Sequence, residues 1–208
     1  MAQLSLLDRC FDELYDNNLK GKAFENACRN MLEEKGLRTV PRRIDVFEPL
    51  LPLDVSVTLW GKQKMRTDID VLANVKNNIL VLECKEAKPR LPQLREQNQF
   101  KKYIVEHIHK VKWISLNLEK LKNYIGIETW RSLKVDEGRT MRFFPLLVSN
   151  IVVESNEFRD APITTFLELK EIISKDWAIA SAGATGILEI EARGRTAKLP
   201  WFAATIKN

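Results

Sequence analysis

Two runs rich in Val, Ile and Leu, residues 67–75 and 78–85, are separated only by Lys76 and Asn77. Strands this close in sequence pair antiparallel, and a two-residue turn fixes their register. Val75 then faces Asn78, Asp70 faces Glu83 and Asp68 faces Lys85. Side chains alternate along a strand, so Ile69, Val71, Ala73, Leu80, Leu82 and Cys84 share one apolar face. The other face is apolar near the turn, with Leu72, Ile79 and Val81, and charged at the open end, with Asp68, Asp70, Glu83 and Lys85.

Three carboxylates against one ammonium leave this end of the hairpin negative. Opposed like charges, with Cβ atoms about 5 Å apart, destabilise an antiparallel pair. Asp70 facing Glu83 therefore calls for a cation, a shared proton or full exposure to water. The simplest cation is an oxygen-preferring divalent ion such as Mg²⁺, with Mn²⁺ as a substitute, held by two carboxylates plus waters and substrate oxygens. The plain alternative is an edge hairpin whose charges are solvated.

Around the hairpin the pattern predicts helices and further strands. Residues 19–35 repeat apolar side chains at Phe24, Ala27, Cys28, Met31 and Leu32, a helical spacing stopped by Gly36. Residues 37–65 read as irregular, ending in a strand at 55–60. After Pro89 and Pro92 a long helix is expected over 93–124, kinked near 110–113. A buried strand follows at 144–154, then a Thr-capped helix at 164–175 and a terminal hairpin around Gly194. This order fits an α/β or α+β sheet covered by helices.

The chain has 208 residues and a net charge of +5, a mild value whose distribution matters more than its size. Residues 85–122 hold ten Lys and Arg (Lys85, Lys88, Arg90, Arg95, Lys101, Lys102, Lys110, Lys112, Lys120, Lys122) against four Glu. The whole basic excess thus lies in one segment, which suits a polyanion partner; a solvated helix face is the alternative. Three cysteines without a C-x-x-C pair argue against a disulfide framework. The first 18 residues put acids where a signal peptide needs an apolar run, and no 18-residue apolar stretch occurs. The expectation is a cytoplasmic protein with no membrane association.

E-x-K triplets occur four times, at 33–35, 83–85, 86–88 and 168–170, so the triplet alone carries no weight. Only Glu83-Cys84-Lys85 lies in a strand-like run with an acid across a hairpin. The segment TDIDVLANVKNNILVLECK resembles the core motif of the PD-(D/E)XK nuclease superfamily, with Asp70 as the motif Asp. The upstream helix GKAFENACRNMLEEKG is similar to that superfamily's first helix, with Glu25 as its acid, and Gln99 to Tyr103 resembles the Q-x-x-x-Y signature of its RecB-like branches. Ile69 stands where the Pro of the Pro-Asp dipeptide would be.

The resemblance implies a restriction-endonuclease-like core, a central mixed sheet (αβββαβ) flanked by helices, over residues 1–175. Residues 176–208 would be a C-terminal β-hairpin extension packed on the same domain. It implies a Mg²⁺-dependent deoxyribonuclease, in which Asp70, Glu83 and the Cys84 carbonyl hold the metal and Lys85 assists the attacking water. Glu25 would complete the acidic cluster, and Gln99 and Tyr103, on one helix face, would touch phosphate or water. Asp68, facing Lys85, would either be a second metal ligand or position that ammonium. Lys88, Arg90, Arg95, Lys101, Lys102 and Tyr103 would bind the DNA backbone. The other reading is a non-catalytic DNA-binding or assembly module of the same fold. A homodimer would suit double-strand cutting; a third reading is a nuclease subunit of a larger DNA-processing or defence complex, since no motor or recognition motif appears in the sequence. His107 and His109, 200° apart on a helix, do not converge as a metal pair.

Overall fold

The hairpin forms where the alternation predicts it. In the computed structural model, which describes residues 17–41, 44–46, 67–86, 93–150, 162–177 and 183–204, strand β4 (Val71–Val75) pairs antiparallel with β5 (Asn78–Lys85). The register runs from Val75↔Asn78 to Val71↔Leu82 as expected. The turn residues Lys76 and Asn77 have φ of 50° and 70°, the left-handed pair that a type I′ hairpin turn requires. Asn77 suits this conformation and is tied down by bonds with Asn74 and Asp136. Lys76 does not suit it, since a left-handed residue with a Cβ costs roughly 1–2 kcal/mol. Lys76→Gly is expected to raise stability by about 0.5–1 kcal/mol in urea unfolding, the gain being reduced by the greater chain entropy of glycine.

β5 is buried almost end to end because both of its faces are covered, as in α/β sheets generally. On one face, Cys28, Met31 and Leu32 of helix α1 (Asn17–Glu34) pack with Val71, Ala73, Leu80, Leu82 and Cys84. On the other, Val111 and Ile114 of α2 (Gln93–Leu116), with residues from α3 (Leu118–Ile125) and α4 (Ile127–Ser132), cover Ile69, Leu72, Ile79 and Val81. The three helices return the chain to β6 (Arg142–Ser149), which lies parallel to β5. Helix α2 is unbroken through 110–113, where a kink is expected. The helix is interrupted at Asn117 instead, whose side chain donates to the Trp113 carbonyl at 3.0 Å, the competition with helical bonding that Asn side chains offer.

The sheet order is β1-β4-β5-β6-β9-β8, with β7 (Ile163–Thr165) parallel to the far end of β6. Its edges are β1 (Arg38–Thr39) and β8 (Thr185–Ala192). β8 and β9 (Arg195–Ala203) form the expected C-terminal hairpin, and β9 joins β6 through Arg142↔Ala203 and Phe143↔Phe202. Helix α5 (Phe166–Ile172) is capped by Thr165, in a reciprocal box with Glu168. The chain is therefore mixed α/β, with a mixed sheet between helices. Among the described residues no helix is long and apolar enough to cross a membrane.

Two strands fall inside the stretch expected to be irregular: β1, and β2 (Ile44–Val46), which pairs with β3 (Thr67–Ile69) outside the main sheet. The expected strand at 55–60 and residues 151–154 of the expected strand at 144–154 lie outside the described residues.

Candidate functional site

The predicted ladder stops one residue short of the charged end. Asp70 forms a bend between β3 and β4, so it is not a ladder partner of Glu83, and Asp68 pairs with Asp45 rather than Lys85. The bend also resets the alternation: Ile69 joins Leu72, Ile79 and Val81 instead of Val71 and Ala73. Two side chains hold this geometry. The Cys84 N–H donates to Asp70 Oδ2 at 2.8 Å, so the carboxylate takes a bond that a strand partner would otherwise supply. Arg29 of α1 donates to the Asp70 carbonyl at 3.1 Å and to the Val40 carbonyl at 3.0 Å, satisfying the acceptors that the bend exposes.

The bend nonetheless brings the predicted acids together. Glu25, Asp70 and Glu83 are all buried. Burial, then Glu83, then Glu25 push the Asp70 carboxyl up to about 6, against the Cys84 N–H and Lys85, which favour its charge. Within a strand the N–H and C=O of one residue point the same way, so the Cys84 carbonyl is aimed at the side where Asp70 sits. The Cys84 thiol faces the core; its neighbour Cys28, followed by burial, raises its pKa well above the ordinary thiol range.

Glu83 is in the opposite electrostatic state. Oε1 is 2.6 Å from Lys85 Nζ and Oε2 is 2.5 Å from Lys110 Nζ. Burial would raise its pKa, but Lys110 and Lys85 outweigh that and hold it far below the usual carboxylate range. His107, with Nδ1 3.6 Å from Oε2, adds no charge at neutral pH, because burial lowers its pKa to about 4. Its Nε2 lies 2.9 Å from the Val81 carbonyl, which makes Nε2 the protonated nitrogen. Burial would lower the pKa of Lys85, yet Glu83 outweighs it and the ammonium is held above its ordinary value. That ammonium also lies 4.8 Å from the Tyr103 ring centroid, a cation–π distance.

Sequence reasoning missed two members of this cluster, Lys110 and Arg29. Lys110 was counted only as part of the basic segment, yet it is 9% exposed and also donates to the Asp68 carbonyl at 2.6 Å. Lys110 Nζ also lies 3.8 Å from the Asp68 carboxylate. Its signal was positional: it sits on the α2 face of Phe100, Ile104, His107, Val111 and Ile114, a core-facing spacing.

Other predicted residues are dispersed. Gln99 and Arg95 lie on α2, but their side chains are outside the described ones, as are Lys88 and Arg90 altogether. Lys101 and Lys102 are exposed, the latter 3.8 Å from Glu106. Part of the basic excess is paired with the chain's own acids: Lys85 and Lys110 with Glu83 in the site, and Lys122 with the exposed Glu119 and Glu137 at 3.0 and 2.9 Å. Among the described residues no three His, Cys, Asp or Glu side chains are grouped to hold a metal ion by themselves, so a metal here would rest on two carboxylates and a backbone carbonyl. No protein-family model, curated protein or solved structure matches the chain.

Proposed function

We propose that this chain is a metal-dependent nuclease of restriction-endonuclease-like fold, hydrolysing phosphodiester bonds in DNA. The observation that carries the reading is the convergence, at the Asp70 bend, of three buried acids with Lys85, whose ammonium rests on Tyr103. Further support comes from the element pattern: an acid-bearing helix, the hairpin, and a helical crossover to a strand parallel to β5.

Asp70, Glu83 and the Cys84 carbonyl would hold Mg²⁺ or Mn²⁺, and the donor set fits a hard cation, being all oxygen. When bound, the ion supplies Lewis-acid polarisation of the phosphate and a lowered pKa for water. Lys85 offsets phosphate charge and orients the attacking water, and Tyr103 limits where its ammonium can go. Arg29 keeps the Asp70 backbone in place through the carbonyl. The exposed Lys101 and Lys102, two and one residues before Tyr103 on α2, offer contacts to the DNA backbone.

The test is cleavage of plasmid, linear and single-stranded DNA with Mg²⁺ or Mn²⁺ by the parent, Asp70→Ala and Lys85→Ala. The parent should cut and each variant should lose about 10²–10³-fold, the range for removing a group that stabilises transition-state charge. Cutting that persists in both variants rejects the site. DNA binding by the parent without cutting would favour the non-catalytic module.

A further inference from the structure

The two ammoniums on Glu83 are not equivalent. Lys110 Nζ, on Oε2, belongs to a residue 9% exposed and donates as well to the Asp68 carbonyl at 2.6 Å. Moving it would strand an interior charge and an unsatisfied peptide carbonyl together, a costly double loss. Lys85 Nζ, on Oε1, belongs to a side chain 30% exposed, and the Tyr103 face stands 4.8 Å from it. Moving it off Glu83 leaves the ammonium with water on one side and an aromatic face on the other.

The acids around Lys85 also explain what holds it there. Lys85 is among the groups favouring the charged form of Asp70, against Glu83 and Glu25. Its Nζ, 2.6 Å from Glu83 Oε1, holds the oxygen that a divalent ion shared by Asp70 and Glu83 would need. We propose that Glu83 offers such an ion Oε1 alone, Lys110 keeping Oε2 throughout, and that ion binding displaces the Lys85 ammonium from Glu83 toward Tyr103 and solvent. This rests on the metal-dependent reading above. Lys85 is then a stand-in cation in the ion-free protein and becomes available to a phosphate or a water only once the ion has replaced it. Lys110 is a positioning residue that decides which oxygen of Glu83 is presented.

Two measurements on the full chain test this. Mn²⁺ binding is followed by titration calorimetry for the parent, Lys85→Met and Asp70→Asn. Separately, acetic anhydride labelling of lysines is read by mass spectrometry with and without Mn²⁺. With its competitor removed, Lys85→Met should bind Mn²⁺ about tenfold more tightly than the parent. Labelling of Lys85 should rise when Mn²⁺ is added, while Lys110 stays protected in both states. Equal or weaker binding by Lys85→Met, or Lys85 labelling that falls or does not change, overturns the displacement while Asp70-dependent Mn²⁺ binding leaves the metal site standing. A parent that binds no Mn²⁺, or an Asp70→Asn variant that binds it equally well, overturns the metal-dependent reading and this inference with it.

Discussion

Glu83→Ala is expected to lower stability by about 3–5 kcal/mol, the usual consequence of removing one partner of a buried ion pair. For a chain of this size that is a fall in Tm of roughly 6–20 °C. Most of the loss comes from Lys110, whose residue is 9% exposed and whose ammonium would keep only the Asp68 side of its contacts. Lys85, with a 30% exposed side chain, can turn to solvent and contributes little. The double variant Glu83→Leu with Lys110→Met should recover most of the deficit, because a buried ion pair replaced by apolar groups is often neutral or stabilising. Thermal melts of Glu83→Leu, Lys110→Met and the double variant complete the cycle. A Glu83→Ala loss under about 1 kcal/mol would mean that Lys110 does not depend on Glu83.

This clamp was not legible in the sequence, although the hairpin beneath it was. The alternation from Val71 to Leu82 fixes a register, because slipping by one residue would move Leu80 and Leu82 from one covered face to the other. The bend at Asp70 leaves no mark on that alternation, since Asp68, Ile69, Asp70 and Val71 alternate just as a continuous strand would. What breaks the strand is tertiary: Arg29 reaches the Asp70 carbonyl from 41 residues upstream, and β2 takes β3 as its partner. Strands of two and three residues, as in β1 and β2, are too short to show a period. Lys110 was visible as a lysine on a core-facing helix position, but its partner lies 27 residues away and spacing on α2 cannot name it. The convergence of Glu25, Asp70, Glu83 and Lys85 was expected from the motif, whereas the division of charge within it, with the Glu83 pKa lowered and the Asp70 pKa raised, came only from the packing of α1 and α2 against the sheet.

That division gives Asp70 the opposite thermodynamic sign from Glu83. Its carboxyl is raised from 3.8 to about 6, so the folded protein binds its proton more tightly than the unfolded chain does. Above about pH 6 the carboxyl is ionised in both states and the full penalty applies; below about pH 4 both states are protonated and the penalty vanishes. The shift corresponds to about 3 kcal/mol at pH 7. Asp70→Asn removes the charge and keeps an oxygen to accept from the Cys84 N–H, so the ion-free variant should be more stable than the parent by about that amount at pH 7. The advantage should shrink as pH falls from about 6 to about 4. Urea unfolding of both proteins in chelator across that range measures it. Adding Mg²⁺ at pH 7 should reverse the comparison in part, since an ion that binds only the folded parent stabilises it by mass action and leaves the variant unchanged. An Asp70→Asn variant less stable than the parent in chelator would show that Asp70 already has enough positive charge around it, and would remove the electrostatic argument for an ion at this bend. A more stable variant that no longer cuts DNA would identify Asp70 as an acid kept at the expense of the fold, which is the signature of a residue held for its chemistry.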